Sequence, residues 1–406
     1  MEDQGQNLRA DKSPTKVLLV TTLSHVMQHI YVGSSVLLPL IVDELRLNYT
    51  EFGLAMAVSS LIGGLSQVFF SVASRKIARH ILLGLGNILL SLGTFLTGLS
   101  QKLIHFLSAR LISNIGVAPQ HPMGTAIISE KFDDESIGRA VGFHYGLAYI
   151  GNIAGPAIMT LLAATLGWRP TLFIFSIPAL TVGLIVIWYL GGFKVKADVK
   201  SGNKSGTNLK SDVATIMRTR SIAIILAVQS MMSGGTDIGI LTTYIPLFLA
   251  NSLKMDIYVR GLLYTIGLLG GVVGPILLGS YAGKAGYIRT SIFSAFSASV
   301  LAYLLASYGA EVNNYLLALH LFILMFTGFS LTTLLQSQLV RATQGYNRDL
   351  AVGAFFTAGF IFNSLWTGIM GYLIDSLSSF KPVFLLMGTL EMAASIVLIS
   401  QIRGER

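Results

Sequence analysis

From Lys16 to Ile402 the chain is a succession of apolar runs about twenty residues long, separated by short polar breaks. A run of that length is what a helix needs to cross the hydrocarbon core of a bilayer. Inside lipid each backbone N–H and C=O must find its partner within a helix or a closed barrel, so the runs read as membrane-spanning helices. Composition agrees, with 53% of the 406 residues hydrophobic and 12% charged, against about 25% charged in a soluble domain. Run length and polar breaks place twelve spans at about 16–42, 50–73, 81–100, 103–129, 138–166, 169–192, 220–250, 258–282, 288–308, 314–340, 349–374 and 381–402.

The net charge of +9 is explained by where the cations fall. With the N-terminus inside, the outer loops hold Arg46, Lys102, Arg169, Lys254, Arg260 and Lys381. Arg110 lies within a span, and the rest of the 28 Lys and Arg fall in the inner loops and the ends. This asymmetry predicts a multi-pass protein of the plasma membrane with both termini cytoplasmic, and it removes nucleic acid as the reason for the basic excess. The stretch "FKVKADVKSGNKSGTNLKSD" is Gly/Ser/Lys-rich and reads as a cytoplasmic linker.

The two sides of that linker echo each other. "YVGSSVLLPLI" matches "GILTTYIPLFL", with Pro39 against Pro246, and "GRAVGF" matches "LAVGAFF". The expected fold is therefore all-α integral membrane, with twelve transmembrane helices as two pseudo-symmetric six-helix bundles. Residues 1–192 form the first, 193–217 the linker and 218–406 the second. Duplicated halves of this kind place a substrate site near the midplane, between them.

Ionisable groups within spans are expensive and face a cavity or a partner. The candidates are His25, His29, Arg110, His121, His144, Asp237, His320 and Glu391. Arg110 cannot shed its charge. It either clamps backbone carbonyls or acts electrostatically on a neighbour or an anion. Asp237, beside Gly234 and Gly235, is the carboxylate expected to bind the transported proton, with Arg110 and His29 tuning it. His25 and His29 share one helix face and leave three readings open: interhelical polar contacts, a shared metal ion, or proton and substrate contacts. "APQHP" reads as a kinked, cavity-lining segment around His121 and Pro122. His25, Gln28, Tyr31, Gln120, His121 and His144 are the expected cavity lining, although His144 and His320 also suit core or interfacial packing. Glu391, on the last span, is not expected to touch substrate, and its cost implies a partner that the sequence does not name. Gly146, Gly151 and Gly155, with Pro156, form a small-residue seam for close helix approach.

Several of these stretches resemble the major facilitator superfamily. "LSARLISNIGVA" is similar to the fourth-helix motif of proton-coupled members, with Arg110 at its arginine, and "GNIAGP" is similar to the antiporter motif of the fifth helix. In the first 160 or so residues "LSHVMQH", "GVAPQHPMGTAIISEKF" and "GFHYGLAYIGNIAGP" resemble the fosmidomycin-resistance branch. Its Ser-His pair corresponds to Ser24 and His25, its His-Pro pair to His121 and Pro122, and its glycine-rich fifth helix to Gly151, Asn152, Gly155 and Pro156. The resemblance implies a secondary active transporter working by alternating access: a proton-coupled exporter (antiport, efflux) of a small drug-like or anionic compound. The alternative is a proton-coupled importer of a small organic acid. An integral-membrane enzyme is a third class, but the chain has no Cys, no nucleotide loop and only scattered histidines. Small molecules, protons and lipid are the expected partners of a monomer, with no cofactor, resident metal or nucleic acid.

Overall fold

The computed structural model describes residues 13–133, 136–191, 218–343 and 348–402; the expected linker at 193–217 lies outside them. Among the described residues there is no strand, and ten helical segments are long and apolar enough to cross a membrane. The other two expected spans are each made of two shorter helices. The fourth is Leu103–Val117 followed by Gln120–Ser129, and the seventh is Arg220–Met232 followed by Ile238–Leu247. The result is twelve crossings, with ends within a few residues of those read from the sequence. Large apolar side chains such as Phe69 and Trp188 are 68% and 79% exposed on the outer surface, where acyl chains cover them.

Local chemistry explains both interruptions. In the fourth span the kink assigned to Pro122 falls earlier, at Ala118–Pro119. Pro119 cannot donate an amide into the helix, whereas Pro122 sits in the first turn of the next helix, where a missing N–H is harmless. The Val117 carbonyl at the break receives the Gln28 amide at 2.9 Å. In the seventh span the chain turns through Ser233–Thr236, and the Asp237 side chain caps the helix that follows, accepting from the Gly239 N–H at 2.8 Å.

Spans one to six pack mainly on one another, as do seven to twelve, and the two groups meet along spans two and eleven and spans five and eight. At the face opposite the described ends, this meeting is closed. Val36, Leu37, Ile41 and Phe52 of the first group share one buried core with Ile240, Leu241, Tyr244 and Ile245 of the second. A methyl on Gly53 would lie 3.2 Å from the Gly371 Cα, so spans two and eleven touch backbone to backbone. Asp375, on span eleven, fastens the junction. Its carboxylate accepts from the Tyr49 N–H at 3.0 Å, the Thr50 N–H at 2.6 Å and the Thr50 hydroxyl at 2.6 Å. Toward the face carrying the described ends, spans two and eleven still touch where Gly64 meets the Phe360 ring, but open space lies beside other positions. A methyl on Gly142 or Gly146 of span five, Gly279 or Gly283 of span eight, or Gly353 of span eleven would meet nothing within 4 Å.

Candidate substrate and proton site

Four histidines from three spans converge on one point of the first half. The His25 ring lies 4.8 Å from His29, 5.2 Å from His121 and 4.6 Å from His144, centroid to centroid. Tyr145 closes the group, 5.1 Å from His25 and stacked at 6.0 Å on His121. His25 and His144 are buried, His29 is half-buried and His121 is exposed. His121 lies mid-span and turns toward spans one and five, so its exposure is to an interior space rather than to lipid. The Pro119 break is what aims it there.

Hydrogen bonds fix the tautomers of two rings. His29 Nδ1 lies 2.9 Å from Asn152 Oδ1, a carbonyl-type acceptor, so Nδ1 carries a proton, and in the neutral ring Nε2 is then bare. His25 Nε2, 3.2 Å from His29 Nε2, must then be the donor, which leaves His25 Nδ1 bare; it is buried without a partner. This is the pattern of two neutral imidazoles in series, ending on Asn152. His144 Nδ1 meets the Thr22 hydroxyl at 3.1 Å. Around the rings Asn87 donates to Ser24 at 2.7 Å, and Ser24 donates to Gln120 at 2.6 Å, so the Ser-His pair is held by span three as well as span four.

Arg110 stands apart from the rings. Its guanidinium lies over the Tyr31 ring, 5.0 Å from the centroid, and its Nε has no partner. Among the described residues no carboxylate is within ion-pair reach of it; the ion pairs there, Arg79–Glu130 and Arg169–Glu44, are elsewhere. Arg110 is half-buried, which leaves a cation with an aromatic face on one side and access to water on the other. Cation–π contact offsets only about 0.5–2 kcal/mol.

Asp237 belongs to the other half and does not join the histidines. It is half-buried, and besides capping its helix it accepts from Asn363 of span eleven at 2.8 Å. Asn363 also donates to the Ser233 carbonyl at 3.2 Å, so one side chain braces both sides of the break. His320 is structural, between the Tyr308 hydroxyl and the Leu301 carbonyl at 2.9 Å each.

The small-residue seam forms with one correction. Gly151 and Gly155 lie directly against the first span, where a methyl on Gly155 would be 2.6 Å from the Ile30 carbonyl oxygen, and Gly33 meets Pro156 in the same way. Gly146 has no neighbour to accommodate. The seam therefore joins spans one and five inside one half, not the two halves. Glu391 has the partner that its cost implied: it is 0% exposed and bonded to the seventh-span break. Spacing gave no signal for Asn363, Asn152 or Tyr145, because neutral side chains in a span do not stand out as charges do.

Twelve helices in two groups, closed at one face and more open at the other around unpaired polar groups, define a membrane transporter of the two-bundle kind. The family model of the Major Facilitator Superfamily matches residues 18–367, and the chain belongs to that family. It is 24% identical over 383 residues to the probable L-galactonate transporter of Escherichia coli (strain K12), covering 89% of this chain and 83% of that one. It is 23% identical over 422 residues to the hexuronate transporter of Bacillus subtilis (strain 168), covering 97% and 95%. Among solved structures, a mutant of the nucleoside transporter NupG superposes with a TM-score of 0.81 at 12% identity, over 95% of this chain and 99% of that one. The family and these relatives are transporters, so the chain is a multi-pass membrane transporter and not an enzyme.

Proposed function

We propose that the protein is a proton-coupled transporter of a small organic anion, working by alternating access in the plasma membrane with its ends in the cytoplasm. The observation that carries this reading is Arg110, a cation within the fourth span with no carboxylate in ion-pair reach among the described residues. A cargo carboxylate satisfies it, and the hydroxyl- and imidazole-bearing surface of His29, His121 and Tyr145 suits a polyhydroxylated cargo. The relatives that span most of the chain are named for galactonate and hexuronate, both sugar acids. Asp237 is the proton carrier in this reading, with residues 1–192 and 218–406 as the two moving halves joined by 193–217. With the ends in the cytoplasm, the closed far face makes the present state inward-facing.

Uptake of labelled galactonate and related sugar acids into proteoliposomes under an imposed pH gradient tests the proposal. The gradient should drive uptake. Arg110→Ala should weaken it about 10- to 150-fold, the equivalent of losing a charged hydrogen bond of about 1.5–3 kcal/mol. Asp237→Asn should uncouple cargo from protons. Sugar-acid uptake indifferent both to pH and to Arg110→Ala would overturn it.

Export of a drug-like compound is the second reading. It is favoured by the resemblance of the Ser24–His25, His121–Pro122 and "GNIAGP" segments to the fosmidomycin-resistance branch, all three of which meet at the histidine cluster. Accumulation of an antibiotic in the lumen of inside-out vesicles, driven by a lumen-acid proton gradient, distinguishes it.

A further inference from the structure

The seventh-span break is held from behind by a carboxyl that the transport reading does not use. Glu391, on the twelfth span, is 0% exposed. Its Oε1 accepts from the Thr236 N–H at 2.9 Å and the Thr236 hydroxyl at 2.6 Å, while its Oε2 is buried with no partner at all. Gly235 has no side chain because Glu391 occupies the space: a methyl there would lie 2.7 Å from both Cγ and Cδ of the glutamate. The carboxyl is thus built into the turn.

The surroundings are those of a neutral acid. From the seventh span Glu391 faces Gly235, Thr236 and Asp237; from the eleventh, Trp366 packs on the neighbouring Gly234 together with Leu390. From the ninth, Ser299 and Tyr303 bond to Gly388 and Thr389, a turn away. Asp237 is the titratable group that acts on it, and among the described residues no Lys, Arg or His is within ion-pair reach. An ionised carboxylate would leave one bare oxygen in dry protein next to a second carboxylate, which is strongly unfavourable. A carboxylic acid fits. Its carbonyl oxygen takes two donors, as Oε1 does, and the proton rests on Oε2.

We propose that Glu391 is a proton-binding site, occupied in this conformation and reached from the interior cavity through Asp237. Asp237 follows Thr236 in the chain and is half-buried where Glu391 is fully sealed, so it is the acid nearer to water. In this conformation Oε2 touches no donor, so loading needs the break to open: a proton taken from water by the Asp237 carboxylate passes to Glu391 Oε2 once the two acids, or a water between them, come within hydrogen-bond reach, one O–H bond breaking as the other forms. Loss of the proton places two negative charges on either side of Thr236 and drives the break to open, so water or a donor can reach Oε2. Proton occupancy is thereby tied to the bend of the seventh span. The inference does not depend on which cargo is carried.

Infrared spectroscopy of the full chain in lipid, without substrate, tests it. At neutral pH the protein should show a carboxylic-acid C=O stretching band that shifts when glutamate is labelled with carboxyl carbon-13, disappears in Glu391→Gln, and fades at alkaline pH. In Asp237→Asn the band should persist, with its deuterium-exchange shift several-fold slower. The isotope arm uses the wild-type protein and so holds even if Glu391→Gln does not fold. Absence of a protonated glutamate band in the labelled wild type overturns the site. Unchanged exchange in Asp237→Asn overturns the route.

Discussion

Asp375→Asn is the substitution whose consequence can be worked furthest. The second span begins at Asn48, and like any helix it leaves its first amides without intrahelical acceptors. Asn48 takes the Glu51 N–H at 2.8 Å and Glu51 returns a bond to the Asn48 N–H at 3.1 Å, a complete capping box. The two amides between them, Tyr49 and Thr50, are satisfied by Asp375 from the opposite half. An asparagine keeps one oxygen and turns an NH2 toward donors, so at least one charged hydrogen bond is lost, at about 1.5–3 kcal/mol. The favourable interaction of a negative charge with the helix N-terminus, about 0.3–1 kcal/mol, goes with it. In the far-face-open state these amides meet water, so the substitution penalises the closed state alone. A net of about 2 kcal/mol corresponds to a ~30-fold rise in the ratio of open to closed.

The chain has no cysteine, so spin labels at Lys102→Cys and Glu311→Cys, exposed far-face positions on the two halves, report this directly by electron–electron double resonance. Asp375→Asn should move population from the short to the long distance by that factor. Thr50→Ala, which removes only the hydroxyl bond, should move it less. An unchanged distance distribution in Asp375→Asn would refute the idea that this carboxylate holds the far face shut.

Two further substitutions test packing and the fourth-span break. Gly155→Ala forces a methyl against the Ile30 backbone, with no flexible side chain to yield, and should cost about 1–3 kcal/mol, seen as a lower thermal midpoint; Gly146→Ala, which meets open space, should leave the midpoint unchanged. Gln28→Leu strips the Val117 carbonyl of its donor and should cost about 1–3 kcal/mol, read in the same melts.

The spans were legible because lipid imposes a single rule, that about twenty apolar residues cross, and the rule is local to each segment. His25, His29 and His121 stood out for the same reason, since titratable rings are rare in such runs. The partners were hidden because partnership depends on which spans adjoin. Asn152 stands in the motif of the fifth helix but nothing there says that it bonds His29, and Asn363, which braces Asp237 from 126 positions away, does not differ in a one-dimensional reading from a neutral residue placed at random. Glu391 is visible in the sequence as a charge that needs a partner, but the sequence does not say which span supplies it. Glu391 turns its acid onto the back of the seventh, on the side away from the cavity.

The two broken spans share a logic that no single helix shows. Breaking a helix in a membrane frees backbone groups that lipid cannot satisfy, so each break must be met by side chains from other spans. The fourth is met by Gln28 of the first; the seventh is met by Asn363 of the eleventh and Glu391 of the twelfth. Those borrowed partners make the breaks load-sharing joints: a movement of one span alters the hydrogen bonds of another. Polar groups at the joints are therefore where a proton or a cargo can bias the fold, since changing one donor or one charge there changes the cost of the break itself. On the apolar faces, where dispersion contacts are many and individually weak, no comparable lever exists, which is why the proposed switch is placed at Asp237 and Glu391, on either side of the seventh-span break, and not along the seam of Gly151 and Gly155.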